Sequence, residues 1–595
     1  MSLSVYFENT YEDDLTSAAY LYDRPVRLIT ARTLEDIMPA LKQIDQAVLN
    51  GQHVAGWISY EAGLALEQRL AVRLSDENSV PYIHMGVFNE RQKHSSREAD
   101  ALWQANNLTN RYTIGDLRLN IDQDEYDDAL DKIKQYLIAG DIYQVNYTLK
   151  AKFNFQGNLR DFYARLRQSQ PAGYSAWIST DEWDVLSLSP ELFLEKSGRF
   201  LKTKPMKGTH IRGLNNDQDQ QFSDHLRGDV KNQAENLMIV DLLRNDLSRI
   251  AKKKSVKVLS LYDIEYYRTV LQMTSSIQAK LPKKIQPSEM IKGMFPCGSV
   301  TGAPKIRAME IIDDLEKENR GVYCGSIGYF SPDGGACLNV AIRTMTIDKN
   351  GHGEMGIGSG IVADSISKDE YQECLLKAEF LTHDFQPFDL IETFKWDPEE
   401  GYAFRDEHLG RLKSSAEYFG FQFEEETLNR VLDEHIADVA ETSPLRVRLL
   451  LSKRGEVSLT SMKLIDTKSD QIVVLASEKV NSSDRSLYHK TTNRQFYDDK
   501  LHQYKAANNC FDVIFLNERE ELTEGSYTNL FIEKDGQLYT PQLSCGVLPG
   551  IYRQHLLDNG KAQEKILSRD DLLKADKIFL ANSVRGLVEV RLSSP

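Results

Sequence analysis

Five stretches between residues 203 and 380 carry side chains whose types could do chemistry. TKPMKGT places Lys207 beside Gly208 and Thr209 directly after a hairpin strand; such a lysine is a turn residue unless its amine is kept neutral, when it becomes a nucleophile. AENLMIVDLLRNDLSRI opens a helix with Glu235. FPCGSVTGAPK is a glycine-rich turn entering a helix N-terminus, a natural seat for an anionic group. GIGSGIVADS, with Gly358, Ser359 and Gly360, offers a second run of backbone donors. In DEYQECLLKAEF, Glu370, Glu373 and Lys377 fall at i, i+3 and i+7 on one helical face. Taken singly each has an ordinary reading: Glu373 and Lys377 as an i,i+4 ion pair, Glu235 as a charge near a helix start. Their occurrence together, in one order, favours a site.

A different set follows residue 388. YHKTTNRQFYD holds Lys490, ELTEGSYTNLFIEKDG holds Glu524, GVLPGIYRQHLL is a turn into a helix, and RDEHLGRLKSS, with Arg411, precedes another helical stretch. Alone, Lys490 would be a surface lysine in a polar loop and Glu524 a turn carboxylate.

The elements that must position these groups show a two-part chain. IDQDEYDDALDKIKQYLIAG has an acidic first turn and ends at Gly140, the pattern of a helix closed by a left-handed residue. ELFLEKSGRFLKTK alternates on both sides of Ser197-Gly198 and reads as a hairpin. GAPKIRAMEIIDDLEKENRG puts Pro304 near a helix start and Gly321 just past its end. New strands begin in RVRLLLSKR, DVIFLN and NLFIEKDGQLYTP, with a helix around Leu432 to Val439. The spacing predicts a boundary near 383–387, giving regions 1–384, most distinctive over 121–380, and 388–595. Residues 1–120 are the least readable, SYEAGLALE being their most distinctive piece.

Composition bounds the rest. The chain has 595 residues, and its 72 Lys+Arg against 88 Asp+Glu leave a net charge of −16, which argues against general nucleic-acid or anionic-membrane binding. With 41% hydrophobic and 27% charged residues it is globular in composition. The six cysteines form no CxxC pair, which predicts a reducing compartment and no zinc site. MSLSVYFENTYEDD lacks the basic-then-apolar order of a signal peptide, and no apolar run approaches a membrane span, so a cytoplasmic location is expected.

In their order, SPELF, PMKGT, ENLMIVDLLRNDL, GSVTGAPK, YCGSIGY, AIRTM and GIGSGIVADS resemble the chorismate-utilising enzymes: the component I chains of anthranilate synthase and aminodeoxychorismate synthase, and the isochorismate and salicylate synthases. The resemblance implies an α/β (α+β) fold built on large, mostly antiparallel sheets. It also implies that Mg²⁺ is held by Glu235 and Glu373 with Glu370 nearby, a carboxylate set suited to a hard cation. Where relatives often carry a further carboxylate, this chain has Asn232. Thr209, Ser299, Tyr329, Arg343, Ser359, Gly360 and Lys377 match positions that hold substrate. Lys207 stands where anthranilate synthases carry Ala and aminodeoxychorismate synthases carry Lys. It would attack C2 of chorismate and expel the C4 hydroxyl, Glu191 of SPELF acting as the general acid, before ammonia attacks C4. Many relatives have His where this chain has Gln272, an amide that can hydrogen-bond but cannot shuttle a proton. With no glutaminase motif, ammonia is expected from a separate glutamine amidotransferase subunit, or free.

The second set is similar to the fold-type IV pyridoxal-phosphate enzymes, which include branched-chain and D-amino-acid aminotransferases and 4-amino-4-deoxychorismate lyase. That resemblance implies a smaller, two-lobed α/β domain. It assigns Lys490 to the Schiff base, Glu524 to the pyridine nitrogen, and Arg411 with the Gly550-Ile551-Tyr552 helix start to the phosphate. Asn582 and Ser583 fall on the cofactor side. Motifs separate lyase from transaminase poorly in this fold; the fusion itself favours the lyase. The joint expectation is chorismate to 4-amino-4-deoxychorismate, then loss of pyruvate to give 4-aminobenzoate for folate. The rivals are an anthranilate-type synthase fused to an aminotransferase, and a catalytically silent second region. A homodimer through that region is left open.

Overall fold

The structure, a computed structural model, describes residues 2–10, 18–73, 78–104, 112–382, 386–437, 443–465 and 471–593. It divides into two compact units: residues 1–211 with 223–385, and residues 212–222 with 386–595. The expected boundary at 383–387 lies partly outside the described residues. The membership of 212–222 in the second unit differs from a single cut in the chain.

In the first unit the described strands form two ten-stranded sheets, antiparallel in every pairing. One sheet runs from Gln144–Gly157 through His352–Ile361, Thr344–Asp348 and Trp183–Ser189 to Leu3–Glu8. The other runs from Met206–Ile211 through Val270–Lys280, Phe200–Lys204 and Leu192–Ser197 to His53–Ile58 and Ile83–Phe88. The period-two alternation of a strand explains the layering. Val5 and Phe7 join a core with Ala55, Trp57, Ile178, Val185 and Ile327 from both sheets, while Tyr6, between them, joins a second core. Apolar faces of the helices Leu34–Leu49, Gln123–Ala139 and Val230–Ile250 complete that second core.

Local signals behave as their chemistry requires, with three exceptions. Asp122 accepts from the Glu125 N–H at 2.9 Å, and Gly140 takes φ +76°, capping the helix Gln123–Ala139 at both ends. Ser197 pairs with Phe200 across the expected hairpin. Glu235, however, does not open its helix. That helix begins at Val230, where Asp229 caps the Asn232 N–H at 2.7 Å, so Glu235 lies in the second turn. The helix after Pro304 stops at Leu315, well short of Gly321, whose N–H donates to the buried Glu61 of SYEAG at 3.1 Å. RDEHLGRLKSS does not precede a helix but forms one, Arg405–Phe419.

The second unit holds a four-stranded antiparallel sheet centred on Leu390–Asp397 and Leu445–Leu451. The helices Arg405–Phe419 and Glu425–Ala437 cover it. An eight-stranded mixed sheet, parallel where Gln471–Val480 meets Asp512–Asn517 and Gly586–Leu592, builds the other lobe. No helix among the described residues is long and apolar enough to cross a membrane.

Candidate active sites

Lys207 owes its direction to a defect in its strand. Between Met206 and Thr209 the register with Val270–Lys280 shifts, leaving Lys207 and Gly208 in a bulge with Gly208 at φ +93°. Two amide side chains hold that bulge. The Asn236 amide donates to the Lys207 carbonyl at 3.3 Å and itself accepts from Ser275 at 2.6 Å. Gln272 donates to the Gly208 carbonyl at 2.8 Å and accepts from Thr209 at 3.0 Å. The residue that departs from the common histidine therefore has both ends of its amide engaged in supporting the lysine, and exposed Thr209 serves the same support.

The amine of Lys207 reaches the strand His352–Ile361. A Cβ on Gly360 would lie 2.9 Å from its Nζ and 2.5 Å from Nε2 of Gln144, so a side chain there would push both flexible tips aside. Burial holds the amine below the ordinary lysine range, opposed by Glu235 and Glu191. Glu191, 3% exposed at the turn between Trp183–Ser189 and Leu192–Ser197, has one carboxylate oxygen with no hydrogen-bond partner. Burial pushes its carboxyl up to about 7, against the Ser299 hydroxyl and the Lys207 charge. Burial thus shifts the Glu191 carboxyl upward and the Lys207 amine downward, each toward its uncharged form, while their charges interact.

The acidic residues border the same strand. Ser359 donates to Glu370. Lys377 pairs with Glu373 at 2.7 Å and donates to the Gly358 carbonyl at 2.8 Å. Burial raises the Glu235 carboxyl, Lys207 and Lys231 pull it down, and Asp364 and Glu370 push it further up. That like-charge crowding is what a dication would relieve. Among the described residues no three His, Cys, Asp or Glu side chains converge closely enough to hold a metal unaided. The donor set still fits Mg²⁺, which takes one or two carboxylates and completes its shell with substrate oxygens and water. Lys305 of the glycine-rich turn fixes that loop, donating to Asp246 at 2.5 Å and to the carbonyls of Met294 and Pro296. Arg343, at φ +48°, donates to Gln170 at 3.0 Å. Tyr329 is not brought to this group: its ring packs edge-on against Phe7 and Tyr20, with Arg91 over its face at 5.4 Å. Its place in the alternation of Ser326–Phe330 turns it into the apolar layer between the sheets.

In the second unit, Lys490 follows His489 into an isolated bridge between Leu390 and Thr491, its carbonyl accepting from the Ile391 N–H at 2.8 Å. Burial and the Arg411 charge bring its amine down to about 8, against Glu392. Arg411 donates from Nε and Nη2 to Glu392 at 2.8 and 2.7 Å, and from Nη1 to the Pro549 carbonyl at 3.0 Å, next to Gly550. Burial opposes charge on Glu392, yet Arg411 and His408 hold it down to about 2. Glu524 accepts from the Asn529 amide at 3.0 Å and the Leu548 N–H at 3.1 Å, and burial pushes it up to about 8. Buried Asp512 clamps the turn between Glu524 and Asn529 through the Ser526 N–H and the Thr528 hydroxyl.

Ile551 and Tyr552 begin the helix Ile551–Asp558, with Gly550 as its cap. A Cβ on Gly550 would lie 1.8 Å from Asn529 Oδ1. Ser583 donates to the Thr393 carbonyl at 3.4 Å, and Asn582 accepts from the N–H groups of Val584 and Arg585. The fit to pyridoxal phosphate rests on the donors: an enclosed amine, a buried carboxyl poised for a cationic ring N–H, and an arginine beside a helix start. Sequence reasoning missed Glu392, Asn529, Asp512 and Asn236. Glu392, an acid within the apolar strand run LIETF, was the one detectable signal.

Residues 7–383 match the chorismate binding enzymes and residues 389–592 match amino-transferase class IV. The chain belongs to the chorismate binding enzyme family, with a class IV amino-transferase region after it. It is 40% identical over 269 residues to aminodeoxychorismate synthase component 1 of Klebsiella aerogenes, covering 45% of this chain and 59% of that one. It is 37% identical over 264 residues to anthranilate synthase component 1 of Aquifex aeolicus, covering 44% and 53%. The crystal structure of anthranilate synthase component I from Streptococcus pneumoniae superposes with a TM-score of 0.51 at 25% identity, over 64% of this chain and 92% of that one. The chain thus spans less than two thirds of the length of these curated relatives.

Proposed function

We propose that the first unit aminates chorismate at C4 and the second removes pyruvate from the resulting 4-amino-4-deoxychorismate, yielding 4-aminobenzoate for folate. The observation that carries the first half is the Lys207 amine turned by its bulge onto Gly360, interacting with the charge of buried Glu191, whose carboxyl is raised to about 7. Neutral Lys207 attacks C2 of chorismate, the ring double bond shifts, and the C4 hydroxyl departs with the proton of Glu191 as water. Ammonia then attacks C4, the double bond returns, the lysine leaves as the neutral amine, and a proton from the new C4 ammonium returns to Glu191. Glu235 and Glu373, with Glu370 close by, would hold Mg²⁺, whose charge would neutralise the ring carboxylate of the substrate. Gly358, Ser359, Ser299, Arg343 and Lys377 supply donors around that dicarboxylate. The relatives' designation as component 1 supports a second subunit, which in this reading is a glutamine amidotransferase supplying the ammonia, with free ammonia as the alternative.

Pyridoxal phosphate, when bound, supplies an electron sink for the carbon bearing the amine. Arg411 and the Gly550-Ile551-Tyr552 turn bind its phosphate, and Glu524, steadied by Asn529, keeps a proton at its ring nitrogen. Lys490 takes the C4 proton of the substrate, and pyruvate leaves as the ring becomes aromatic. An anthranilate-type first step is disfavoured by Lys207, since that outcome does not need an amine at this position. The test is product identification from chorismate, ammonia and Mg²⁺: 4-aminobenzoate with one pyruvate supports the reading, and 2-aminobenzoate overturns it.

A further inference from the structure

The chain leaves the first unit five residues after Lys207 and lends Arg212–Phe222 to the second. The segment is built as a closed loop. Arg212 and Asp219 pair with side chains 5% and 4% exposed, and the Gly213 N–H donates to the same carboxylate at 2.7 Å. The loop is tied to the helix Arg405–Phe419 from both directions. Arg212 donates to the Tyr418 carbonyl at 3.0 Å with its guanidinium 4.4 Å over the ring, and the Tyr418 hydroxyl donates to the Gly213 carbonyl at 2.6 Å. Asn216 donates to the Ser414 carbonyl at 2.9 Å.

The loop also reaches the residue before the candidate cofactor lysine. His489 stacks on Tyr418 at 4.4 Å, and its Nε2 lies 3.2 Å from the Leu214 carbonyl. A carbonyl only accepts, so Nε2 carries the proton and Nδ1 accepts from the Ser415 hydroxyl at 3.0 Å. Burial holds the ring neutral, at about 4, which keeps that one tautomer. The Leu214 side chain packs against the cluster of Leu487, Tyr488 and Phe515. The backbone at Lys490 is therefore bridged to Leu390 and Ile391, while the side chain of the preceding His489 is held by the Leu214 carbonyl.

We infer that Arg212–Phe222 is a positioning element of the second active site: it fixes His489, and through the shared peptide the Lys490 amine, so that residues 386–595 alone lack part of that site. The inference rests on the reading of Lys490 as the cofactor-bearing lysine. Arg212, Leu214 and His489 touch no reacting atom in this reading and act through their neighbour.

Full-length Arg212→Ala and the milder Tyr418→Phe test it, with Lys490→Ala as control. Pyridoxal phosphate is titrated into each apoprotein, the covalently trapped fraction after borohydride is measured against pH, and hydrogen exchange is followed by mass spectrometry. Losing a charged, buried anchor predicts that Arg212→Ala needs about tenfold more pyridoxal phosphate for half-loading, with Tyr418→Phe shifted less in the same direction. Amides of 487–491 exchange faster, while those of 577–592 keep wild-type protection. The pH midpoint of trapping moves upward, because water reaches an amine lowered chiefly by burial while Arg411, Arg494, Glu392 and Glu524 still surround it. A merely structural anchor would leave that midpoint in place. Wild-type loading and midpoint in both variants, or in Tyr418→Phe if Arg212→Ala does not fold, would overturn the inference. Trapping that persists in Lys490→Ala would instead overturn the reading of the lysine.

Discussion

Lys207 and Glu191 have ordinary solution chemistry made unusual by enclosure, and the pH dependence of the first step follows from that. Glu191 must be protonated to give its proton away, so amination falls as pH rises through about 7. Lys207 must be neutral to attack, so the rate also falls on the acidic side, and the profile is bell-shaped. Measured at a constant concentration of unprotonated ammonia, Glu191→Gln should lose the alkaline limb and about 10²–10⁴ in kcat. Lys207→Ala should keep the fold, since the bulge is held by the backbone carbonyls and not by the amine, and should lose or divert amination. Wild-type rates of 4-amino-4-deoxychorismate formation in that variant would remove Lys207 from the mechanism. For the carboxylates, Glu235→Gln or Glu373→Gln should raise the Mg²⁺ concentration for half-maximal activity; an unchanged metal dependence in both would contradict the metal assignment.

At the scale of elements, the site depends on places where regular structure is interrupted. The bulge at Lys207-Gly208 turns the amine toward Gly360, and Gly360 admits it by having no side chain. Gly360→Ala should therefore lower the amination rate at least about tenfold with little change in thermal midpoint, because the added methyl meets the flexible tips of Lys207 and Gln144 and not backbone. A wild-type rate would show that the amine works from another position. The same interruptions mark what the sequence could reveal. The capped helix Gln123–Ala139 and the Ser197-Gly198 hairpin were legible because caps and turns are chosen by residues a few positions apart. The bulge was not, because it is defined by a register against Val270–Lys280, some seventy positions away. Tyr329 sits in a motif of the expected kind, yet its orientation is set by the alternation of a strand paired with His53–Ile58, far away in the sequence. Glu392, on a strand, needed Arg411 and His408 from the helix Arg405–Phe419 before its role could be read.

For the whole molecule, the two proposed chemistries fall on separate units of one chain, and the excursion of Arg212–Phe222 is the part no local signal could announce. Residue types such as Leu214 say that a side chain will be buried, not which of two cores will bury it. The division of labour is nonetheless sharp: Lys207, Glu191 and the carboxylates belong to one unit, and Lys490, Glu524 and Arg411 to the other. The most direct test of that division is the product balance of full-length Lys490→Ala given chorismate, ammonia, Mg²⁺ and pyridoxal phosphate. Removing one amine from the second unit should leave the first reaction running, so 4-amino-4-deoxychorismate should accumulate at the wild-type rate of chorismate loss, with pyruvate and 4-aminobenzoate almost absent. Undiminished 4-aminobenzoate from this variant, free of contaminating lyase, would contradict the account.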